Sequence, residues 1–573
     1  MIYDVRAVQK EGDYTDIMTE YSEELFAAAL AEHRPKWEKI QDPEVNYSFP
    51  IPNTTLKEAF NTIAEKHPDK TYIYYRNHAY TYGECNLWAR KIANGLRKIE
   101  CKKGDRVNTY MSNSPDFVCI AQACFKLGLI LVNSNPLDVA YDMEYLMRDC
   151  QAKVVIADEI SYRAVCDALQ NIKNGPKYLI LSEVDATLVH DIPQKVETLK
   201  TISVYGEEEP QENISPDDIA VLQCTGGTTG IIKECCGTNR AYFARAMAAR
   251  EFYKPVFPPE DTDKFSIIVG LPFSHAYGFS MGIILNLAFG GNMILTDSVK
   301  PSLKEVLEKI EKYKANVWPA VPIWLKLLIS EPELQKYDLS SLRSINSGGV
   351  SLPLSVLNQV EELTGIMVNE GYGMTETINT ITHNSFAHRK PGTVGIPYPN
   401  IEYLIVDQED GNKIVPNGTA GEIIARGVCV IKEYWQKPEE TALAIRNRWL
   451  YTGDIGMIDE EGYLIILDRK KDLIIVSGFN VFPREIDDIM MTHPGVADSC
   501  TVGVPDAIRG EVPKTYVVLD QNHRDVTKEE LMDYCNKRLT RYKIPRIIEF
   551  INIIPKTKNN KPDRKALKKM HLA

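Results

Sequence analysis

The sequence predicts an α/β protein with a large N-terminal part, a small β-rich subdomain and a smaller C-terminal α+β domain. Its 573 residues are 44% hydrophobic and 25% charged, which is typical of a globular protein with sizeable buried cores. From Thr55 onward, segments with helical spacing alternate with short strand-like runs. Such alternation is typical of helices layered on parallel sheets.

Four segments in the first third of the chain show this alternation most clearly. Residues 56–60 and 89–96 have apolar residues at helical spacing, whereas 71–75 and 154–157 are short β-branched or aromatic runs. Near the N-terminus, residues 21–33 predict an amphipathic helix. We expect Pro35 to stop it, because proline lacks the backbone N–H that a helix interior needs.

After about residue 392 the pattern changes to short strands separated by Gly, Pro and Asp. This predicts a β-rich subdomain over about 392–468, with strands at 401–406, 421–426, 450–454 and 463–467. The charged run 468–472 then marks a domain boundary, which gives an N-terminal domain of 1–468 and a C-terminal domain of 472–573. The C-terminal domain is predicted to contain a helix at 484–491 and strands at 500–504 and 515–519.

Charge, apolar runs and cysteine spacing argue against nucleic-acid binding, secretion, a membrane span and a zinc site. The formal net charge of −12 argues against broad nucleic-acid binding, which requires a basic face. The start of the chain lacks the pattern of a secretory signal. The most apolar stretch, 281–291, is about half the roughly 20 residues of a membrane span. Twelve cysteines without CxxC pairs predict reduced thiols and no zinc site, so we expect a cytoplasmic protein.

A glycine- and threonine-rich loop follows the apolar run 219–222. Its glycines allow tight turns that point N–H groups inward, its hydroxyls add donors, and its lysine adds a positive charge. These features predict a phosphate-binding loop, although neither a Walker motif nor GxGxxG is present. The loop consists of Thr225, Gly226, Gly227, Thr228, Thr229, Gly230 and, after two isoleucines, Lys233.

Two further segments place acids on turns. In 371–377 (Gly-Tyr-Gly-Met-Thr-Glu-Thr), Glu376 stands beside Thr375, which suits Mg²⁺ because this ion prefers one or two carboxylates plus substrate oxygens. In 451–454, Asp454 stands at a strand end, where a carboxylate can accept hydrogen bonds from two vicinal hydroxyls. Taken singly, either segment is equally well explained as a turn.

Together and in this order, the three segments resemble those of the adenylate-forming superfamily, which includes acyl-CoA synthetases, firefly-type luciferases and peptide-synthetase adenylation domains. The resemblance spans about 55–567. It implies a large domain of two layered α/β sheets and a mobile C-terminal domain. Additional matching segments are 271–278, 346–349, 468–472, 477–480 and 554–561.

The resemblance implies a two-step reaction in which ATP and a carboxylic acid form acyl-AMP and pyrophosphate, and coenzyme A then forms a thioester. Mg²⁺ is the implied cofactor, held by Glu376 and Thr228. The implied catalytic residues are Lys561, Thr375, Glu376 and His275. The implied ATP and AMP ligands are the loop residues Thr225 to Gly230 and Lys233, together with Ser347, Gly348, Gly349, Tyr372, Thr375, Asp454, Arg469 and Lys561.

The resemblance also implies the remaining sites. The acyl pocket would be lined by His275, Tyr277, Trp318, Val321 and Gly349. Coenzyme A would bind at Ser477, Gly478 and Phe479, and the C-terminal domain would turn on a hinge at 469–471, with Lys471 as its pivot. His275 and Trp318 are also expected in plain core structure, so a purely structural role stays open for both.

The chain departs from the family pattern at three positions. Glu234 and Asn560 replace usual glycines and Asn239 replaces a usual histidine, which bears on the geometry of the phosphate loop and on the rate. A negative charge at Glu234 would be unfavourable beside phosphates unless it is paired or points away.

The expected substrate is a small-molecule carboxylic acid. No acid occurs in 272–277, which argues against an amino acid, and the Thr-Gly-Gly-Thr-Thr-Gly loop resembles that of medium- and long-chain fatty acyl ligases. The alternatives are an aryl-acid CoA ligase, a ligase that loads an acyl-carrier protein, and a non-catalytic nucleotide-binding homologue. The oligomeric state, including a homodimer, stays open.

Overall fold

The computed structural model describes residues 13–172, 174–225, 232–477, 479–506, 508–520, 523, 525–557 and 561–572. Within these ranges the N-terminal domain contains two large sheets, whose strands are β1 (Thr71–Tyr75), β2 (His78–Thr81), β3 (Arg106–Tyr110), β4 (Ile130–Ser134), β5 (Val154–Ala157), β6 (Tyr178–Leu181), β7 (Lys195–Thr198), β8 (Ile219–Thr225), β9 (Lys233–Thr238), β10 (Ser266–Val269), β11 (Asn292–Leu295), β12 (Val317–Ala320), β13 (Ser344–Ser347), β14 (Val368–Tyr372), β15 (Thr382–His383) and β16 (Ile396–Pro397).

The helices of the N-terminal domain follow in chain order. They are α1 (Asp13–Glu38), α2 (Leu56–Lys66), α3 (Tyr82–Lys98), α4 (Pro115–Leu127), α5 (Ala140–Asp149), α6 (Tyr162–Gln170), α7 (Leu199–Ile202), α8 (Asn239–Phe252), α9 (Ala276–Phe279), α10 (Leu285–Phe289), α11 (Leu303–Tyr313), α12 (Pro322–Ile329) and α13 (Leu354–Thr364). A π-helical stretch, Ser280–Ile284, joins α9 to α10.

The β-rich subdomain and the C-terminal domain follow in chain order. The subdomain contains β17 (Ile401–Val406), β18 (Gly421–Gly427), α14 (Pro438–Ala444), β19 (Ile445–Arg446), β20 (Trp449–Ile458) and β21 (Leu464–Arg469). The C-terminal domain contains β22 (Ile474–Val476), β23 (Phe479–Val481), α15 (Pro483–Met490), β24 (Val496–Asp506), β25 (Gly510–Leu519), α16 (Lys528–Asn536), β26 (Ile547–Phe550) and α17 (Arg564–Leu572).

The two large sheets are mainly parallel. One has the order β16-β15-β14-β13-β12-β10-β11-β1-β2, and the other has the order β7-β6-β5-β3-β4-β8-β9. One continuous apolar cluster contains Val107 of the second sheet, Ile267 of the first, and residues of α3, α4 and α8. These helices therefore share their apolar packing with both sheets, and the predicted α/β architecture is confirmed.

The two smaller sheets separate at the predicted boundary region. The subdomain sheet is antiparallel, with the order β17-β18-β20-β19 and β21 paired to β20. The C-terminal sheet has the order β23-β22-β25-β24, with β26 parallel to β25. A short 3-10 turn, Lys470–Asp472, connects β21 to β22, so the chain passes from one sheet to the next within a few residues.

The N-terminal helix is longer than predicted. It runs through Pro35 to Glu38, so the expectation that Pro35 stops it is wrong. One face of α1 is buried, with Phe26, Leu30 and Trp37 in the main apolar cluster, and the Trp37 indole donates a hydrogen bond to the Gly462 carbonyl at 2.9 Å. This tertiary burial outweighs the local preference of proline.

Two further properties concern the whole described chain. No helix in the described ranges is long and apolar enough to cross a membrane. All twelve cysteines lie in the described ranges, and each is free of a disulfide.

Candidate active site

The candidate site forms where strands of the first sheet end. β13 and β14 are parallel neighbours, so the Ser347 end and the Tyr372 end lie at the same edge of the sheet. Gly348 follows β13 and passes so close to Tyr277 that an added Cβ would lie 3.5 Å from its ring. Gly349 has a φ of +80°, which suits glycine at this turn. The strand ends therefore bring the predicted adenine and acyl segments together.

The subdomain supplies a fixed carboxylate to the site. Asp454 of β20 stands directly opposite Arg469 of β21 in the antiparallel register. The Arg469 Nε donates to Asp454 Oδ1 at 2.5 Å, and the Tyr372 hydroxyl donates to Asp454 Oδ2 at 2.6 Å. Strand pairing thus sets the position of both charged groups, and Tyr372 links them to the first sheet.

The second acid, Glu376, lies in the 3-10 turn Thr375–Thr377. Its side chain is buried, and its Oε1 accepts a hydrogen bond from the Tyr434 hydroxyl at 2.7 Å. The Lys233 ammonium lies 4.9 Å from the centre of the Tyr434 ring. Tyr434 was not predicted from the sequence, because it is far from Glu376 along the chain and belongs to none of the motifs.

The residues around Glu376 fit Mg²⁺ as the sequence predicts. Among the described residues no group of three or more His, Cys, Asp and Glu side chains could hold a metal by themselves. One buried carboxylate is nevertheless a suitable donor for Mg²⁺, because this ion usually takes its other ligands from phosphates and water. Thr228, the second predicted ligand, lies outside the described residues, as do Gly226, Gly227, Thr229 and Gly230 of the same loop.

The C-terminal domain contributes Lys561. A tight turn holds it: the Thr557 N–H donates to the Lys561 carbonyl at 2.7 Å, and the Lys561 N–H donates to Thr557 Oγ1 at 3.2 Å. Burial and the neighbouring Arg469 lower the pKa of Lys561, while Asp454 and Glu376 oppose that change. The lysine predicted to be catalytic is therefore close enough to the two acids, which come from different parts of the chain, for their charges to act on its ammonium.

His275 lies near the same ammonium group. Burial and the charge of Lys561 lower the pKa of His275 to about 4, so its imidazole is neutral at neutral pH. Its Nδ1 accepts a hydrogen bond from the Tyr277 N–H at 3.1 Å at the start of α9, and the Tyr277 hydroxyl donates to the Asn346 carbonyl at 2.8 Å. His275 thus caps the start of the helix, and its imidazole is close enough to Lys561 for that charge to lower its pKa.

The other predicted acyl-pocket residues are placed differently. Trp318 is fully buried in a second apolar cluster, which does not include Tyr277, and its ring lies 6.1 Å from that of Trp324. Val321 precedes α12. Trp318 and Tyr277 therefore belong to different apolar clusters. Successive side chains of a β-strand such as β12 point to opposite faces of the sheet, and each face packs against a different cluster.

The predicted CoA-binding residues lie on the C-terminal sheet. Ser477 and Phe479 are exposed, and the Phe479 ring stacks on Tyr542 at 4.7 Å. Gly478 lies outside the described residues. The half-buried Lys561 and these exposed residues therefore occupy different environments in this arrangement of the chain.

Glu234 is buried on the opposite side of β9 from Lys233. Lys437 forms ion pairs with Asp149 and, at 3.2 Å, with Glu234 Oε2. One ammonium neutralises only one of the two carboxylates, so burial and the neighbouring Asp149 raise the pKa of Glu234 to about 8. Glu234, a departure from the family pattern, therefore carries a proton at neutral pH and accepts a hydrogen bond from the Lys437 ammonium.

Asn239 also has a structural explanation. Its Oδ1 accepts a hydrogen bond from the Leu56 N–H at 3.2 Å, and its Nδ2 donates to the Asp218 carbonyl at 3.1 Å. The first bond joins the starts of α2 and α8, and the second joins the start of α8 to the residue before β8. Asn560, the third departure, lies outside the described residues.

Comparison with known proteins decides the family. A model of the AMP-binding enzyme family matches residues 60–435, and a model of the AMP-binding enzyme C-terminal domain matches residues 485–561. The chain belongs to the AMP-binding enzyme family. The predicted resemblance and the prediction of an enzyme are thereby confirmed.

Curated relatives of this AMP-binding enzyme are similar over nearly their whole length. A long-chain-fatty-acid–CoA ligase from Bacillus subtilis is 35% identical over 545 residues, with 91% of this chain and 96% of the relative covered. A long-chain-fatty-acid–CoA ligase from Escherichia coli O157:H7 is 32% identical, with 90% and 94% covered. The crystal structure of ATP-bound MatB from Rhodopseudomonas palustris has a TM-score of 0.80 at 27% identity, with 90% and 99% covered.

The raised pKa of Glu234 predicts that the stability of the fold depends on pH. A carboxyl whose folded pKa is raised from 4.5 to about 8 stabilises the fold below its unfolded pKa, and this contribution is lost as pH rises toward 8. Glu234→Gln removes this titration. We expect the melting temperature of the variant, relative to the original protein, to increase from about pH 5 to about pH 9.

Glu439→Gln, at an exposed position in the first turn of α14, is the matched control and should show a constant difference. A Glu234→Gln variant whose relative melting temperature falls with increasing pH would mean that the buried carboxyl is ionised in its pair with Lys437.

Proposed function

We propose that the protein is an ATP-dependent carboxylate–CoA ligase. A carboxylate attacks the α-phosphate of ATP to give acyl-AMP and pyrophosphate, and the thiol of coenzyme A then displaces AMP to form a thioester. The single observation that carries this proposal is that the charges of Arg469, Asp454 and Glu376 all act on the Lys561 ammonium, so groups from three parts of the chain share one region. The preferred acid is a medium- or long-chain fatty acid, which the names of the relatives support.

The first step brings two anions together. The attacking carboxylate and the α-phosphate repel each other, and a cation held between them in a site with little water stabilises the transition state. Lys561 is the residue for this role, with Thr375 as a donor to the α-phosphate. Glu376 would hold Mg²⁺, which supplies further positive charge to the phosphate oxygens when bound.

The nucleoside is held by the strand ends and the subdomain. Tyr372 would stack on the adenine, and the backbone of Ser347, Gly348 and Gly349 would line the same pocket. Asp454 and Arg469 would bind the ribose hydroxyls, since their positions are fixed by strand register. Thr225 and Lys233 frame the phosphate loop and would bind the β- and γ-phosphates.

The second step requires Lys561 to leave. A thiol gains little from an ammonium group in its approach path, so we propose that the C-terminal domain rotates at 469–471 and brings Ser477 and Phe479 to the site. Lys471 lies in the exposed 3-10 turn that joins β21 to β22, a position that suits a pivot. The acyl chain would lie along His275, Tyr277 and Gly349, with Val321 and Trp318 further from the reacting atoms.

The proposal also includes a cellular location and an oligomeric state. Twelve free cysteines support action in a reducing compartment, for which we propose the cytoplasm. A homodimer is our working hypothesis for the oligomeric state, which sedimentation measurements would decide.

The substrate class is tested with a panel of acids in a pyrophosphate-release assay. Octanoate or palmitate should be activated in the presence of ATP and Mg²⁺, and the thioester should form with coenzyme A. A clear preference for benzoate-like acids would favour an aryl-acid ligase instead. Product formed only with an acyl-carrier protein would favour a carrier ligase. ATP binding without acid-dependent pyrophosphate release would indicate a nucleotide-binding homologue without activity.

The role of Lys561 predicts a separation of the two half-reactions. Lys561→Ala should lower acyl-AMP formation by about 100-fold or more, because it removes the charge from the first transition state. Thioester formation from added acyl-AMP should be largely kept. Lys569→Ala, an exposed change on α17, is the control and should affect neither half-reaction. An equal loss of both would contradict the alternation of domains.

A pivot at Lys471 predicts that a change there impairs the second half-reaction and spares the first. Lys471→Pro fixes φ at the connection and should impair thioester formation while sparing acyl-AMP formation. Lys471→Ala removes the same side chain without restricting the backbone, so it should keep both half-reactions. Overall turnover near that of the original protein in the proline variant would exclude Lys471 as the pivot.

A further inference from the structure

A second positive charge lies near the candidate acyl pocket without an acidic partner. Arg245 of α8 is only 3% exposed. Its Nη1 donates to the Tyr398 hydroxyl at 3.3 Å, and its Nη2 lies 3.8 Å from the Met281 sulfur. Its guanidinium carbon lies 4.9 Å from the centre of the Tyr398 ring, and its Nε has no hydrogen-bond partner. No carboxylate among the described residues forms an ion pair with it.

This arrangement is energetically incomplete. A buried charge is strongly unfavourable unless it is paired and hydrogen-bonded, because it has lost its hydration. A phenol ring and a thioether soften this effect, but neither carries the negative charge that would neutralise a guanidinium. Arginine is suited to planar, bidentate recognition of a carboxylate, and the Nε of this fork makes no hydrogen bond.

Arg245 lies close to residues of the candidate acyl pocket. Met281, which contacts Arg245, follows Tyr277 by four residues, so the two side chains lie on one face of the same helical segment. Burial raises the pKa of Tyr277, and Arg245 opposes that rise, so its charge reaches the tyrosine hydroxyl. That hydroxyl donates to the carbonyl of Asn346, one residue before the Ser347 strand end.

A second buried donor in this region has only a neutral neighbour. The Asn346 side chain is only 2% exposed, and its interaction with the Tyr253 hydroxyl opposes the rise that burial causes in the pKa of that tyrosine. Another charge-capable neighbour, His383, is neutral at neutral pH, since burial lowers its pKa to about 4. Arg245 and Asn346 therefore present hydrogen-bond donors where the described protein supplies no anion, which is the chemistry of a site for an acceptor with negative charge.

We propose that Arg245 binds a second carboxylate on the acyl chain, so that the preferred substrate is a dicarboxylic acid activated at one end. The carboxyl that reacts lies toward Lys561 and His275, and the one that is recognised pairs with Arg245. This inference rests on the proposed function, since it assigns the substrate class of the same ligase site. It narrows the fatty acid to one with an anionic group on the chain.

The test compares acids in pairs of equal carbon number, from butyrate and succinate through hexanoate and adipate to octanoate and suberate. The kcat/KM for acid is measured by ATP-dependent pyrophosphate release with coenzyme A present. We expect the diacid to exceed its monoacid at one chain length or more. Arg245→Leu should lower the diacid-to-monoacid ratio at that length by about 100-fold, because a desolvated charge pair is lost.

The matched control is Arg240→Leu on the same helix, where Arg240 pairs with Asp217 at 2.8 Å near the surface. The diacid-to-monoacid ratio of kcat/KM in Arg240→Leu should equal that of the original protein. Arg245→Lys, which keeps the charge and loses the fork, should give an intermediate ratio. If Arg245→Leu does not fold, as judged by its melting curve, Arg245→Lys decides the question, and a ratio equal to that of the original protein would contradict the proposal.

The outcomes separate this inference from the proposed function. Activation of monoacids alone, or a ratio unaffected at Arg245, overturns the dicarboxylate site and leaves the ligase intact. An ω-hydroxy acid used as well as the diacid of equal length also overturns it, because a neutral acceptor would then suffice. Pyrophosphate release with none of the acids, octanoate and palmitate included, overturns the ligase itself and this inference with it.

Discussion

The arrangement of the site depends on one electrostatic constraint, the accommodation of the Lys561 ammonium away from bulk water. Loss of hydration and the charge of Arg469 lower the pKa of this ammonium, and Asp454 and Glu376 offset part of that change. These partners come from the subdomain sheet and from the turn after β14, so a charge from the C-terminal domain is stabilised only where both have folded correctly. The same cation beside a carboxylate and a phosphate is what acyl-AMP formation requires.

The contacts across the domain boundary are compatible with exchange between arrangements. Arg564 approaches Asp468 of the subdomain at 3.7 Å, whereas its bond to Asp487 within the C-terminal domain is 3.0 Å. The Arg484 N–H also donates to Asp468 Oδ2, and Arg484 Nη1 donates to the Ile466 carbonyl, both at 2.8 Å. The C-terminal domain therefore keeps its own short ion pair if it turns away from the subdomain, but it must release these hydrogen bonds.

The sequence was sufficient for the parts that depend on local pattern, and insufficient for those that depend on pairing between distant residues. Alternating helices and strands predicted the layered α/β sheets, and short motifs, through the family resemblance, predicted which residues would share the site. The hydrogen bond from Tyr434 to Glu376 joins residues far apart in the chain, and no spacing encodes it. For the same reason the docking of Trp37, which carries the helix past Pro35, and the pairing of Glu234 with Lys437 emerged only from the fold.

The lack of an acidic partner for Arg245 likewise depends on distant residues and is visible only in the fold. A lone arginine in a helix ordinarily indicates a solvated face, and its sequence neighbours give no sign of burial without a counter-ion. A pocket made only for an unsubstituted hydrocarbon chain gains nothing from a guanidinium at its wall and loses the free energy of burying it. A second carboxylate reverses that balance, because the ligand then supplies the neutralising charge at the moment of binding. The preference for diacids and the retention of a buried cation would thus have one physical cause.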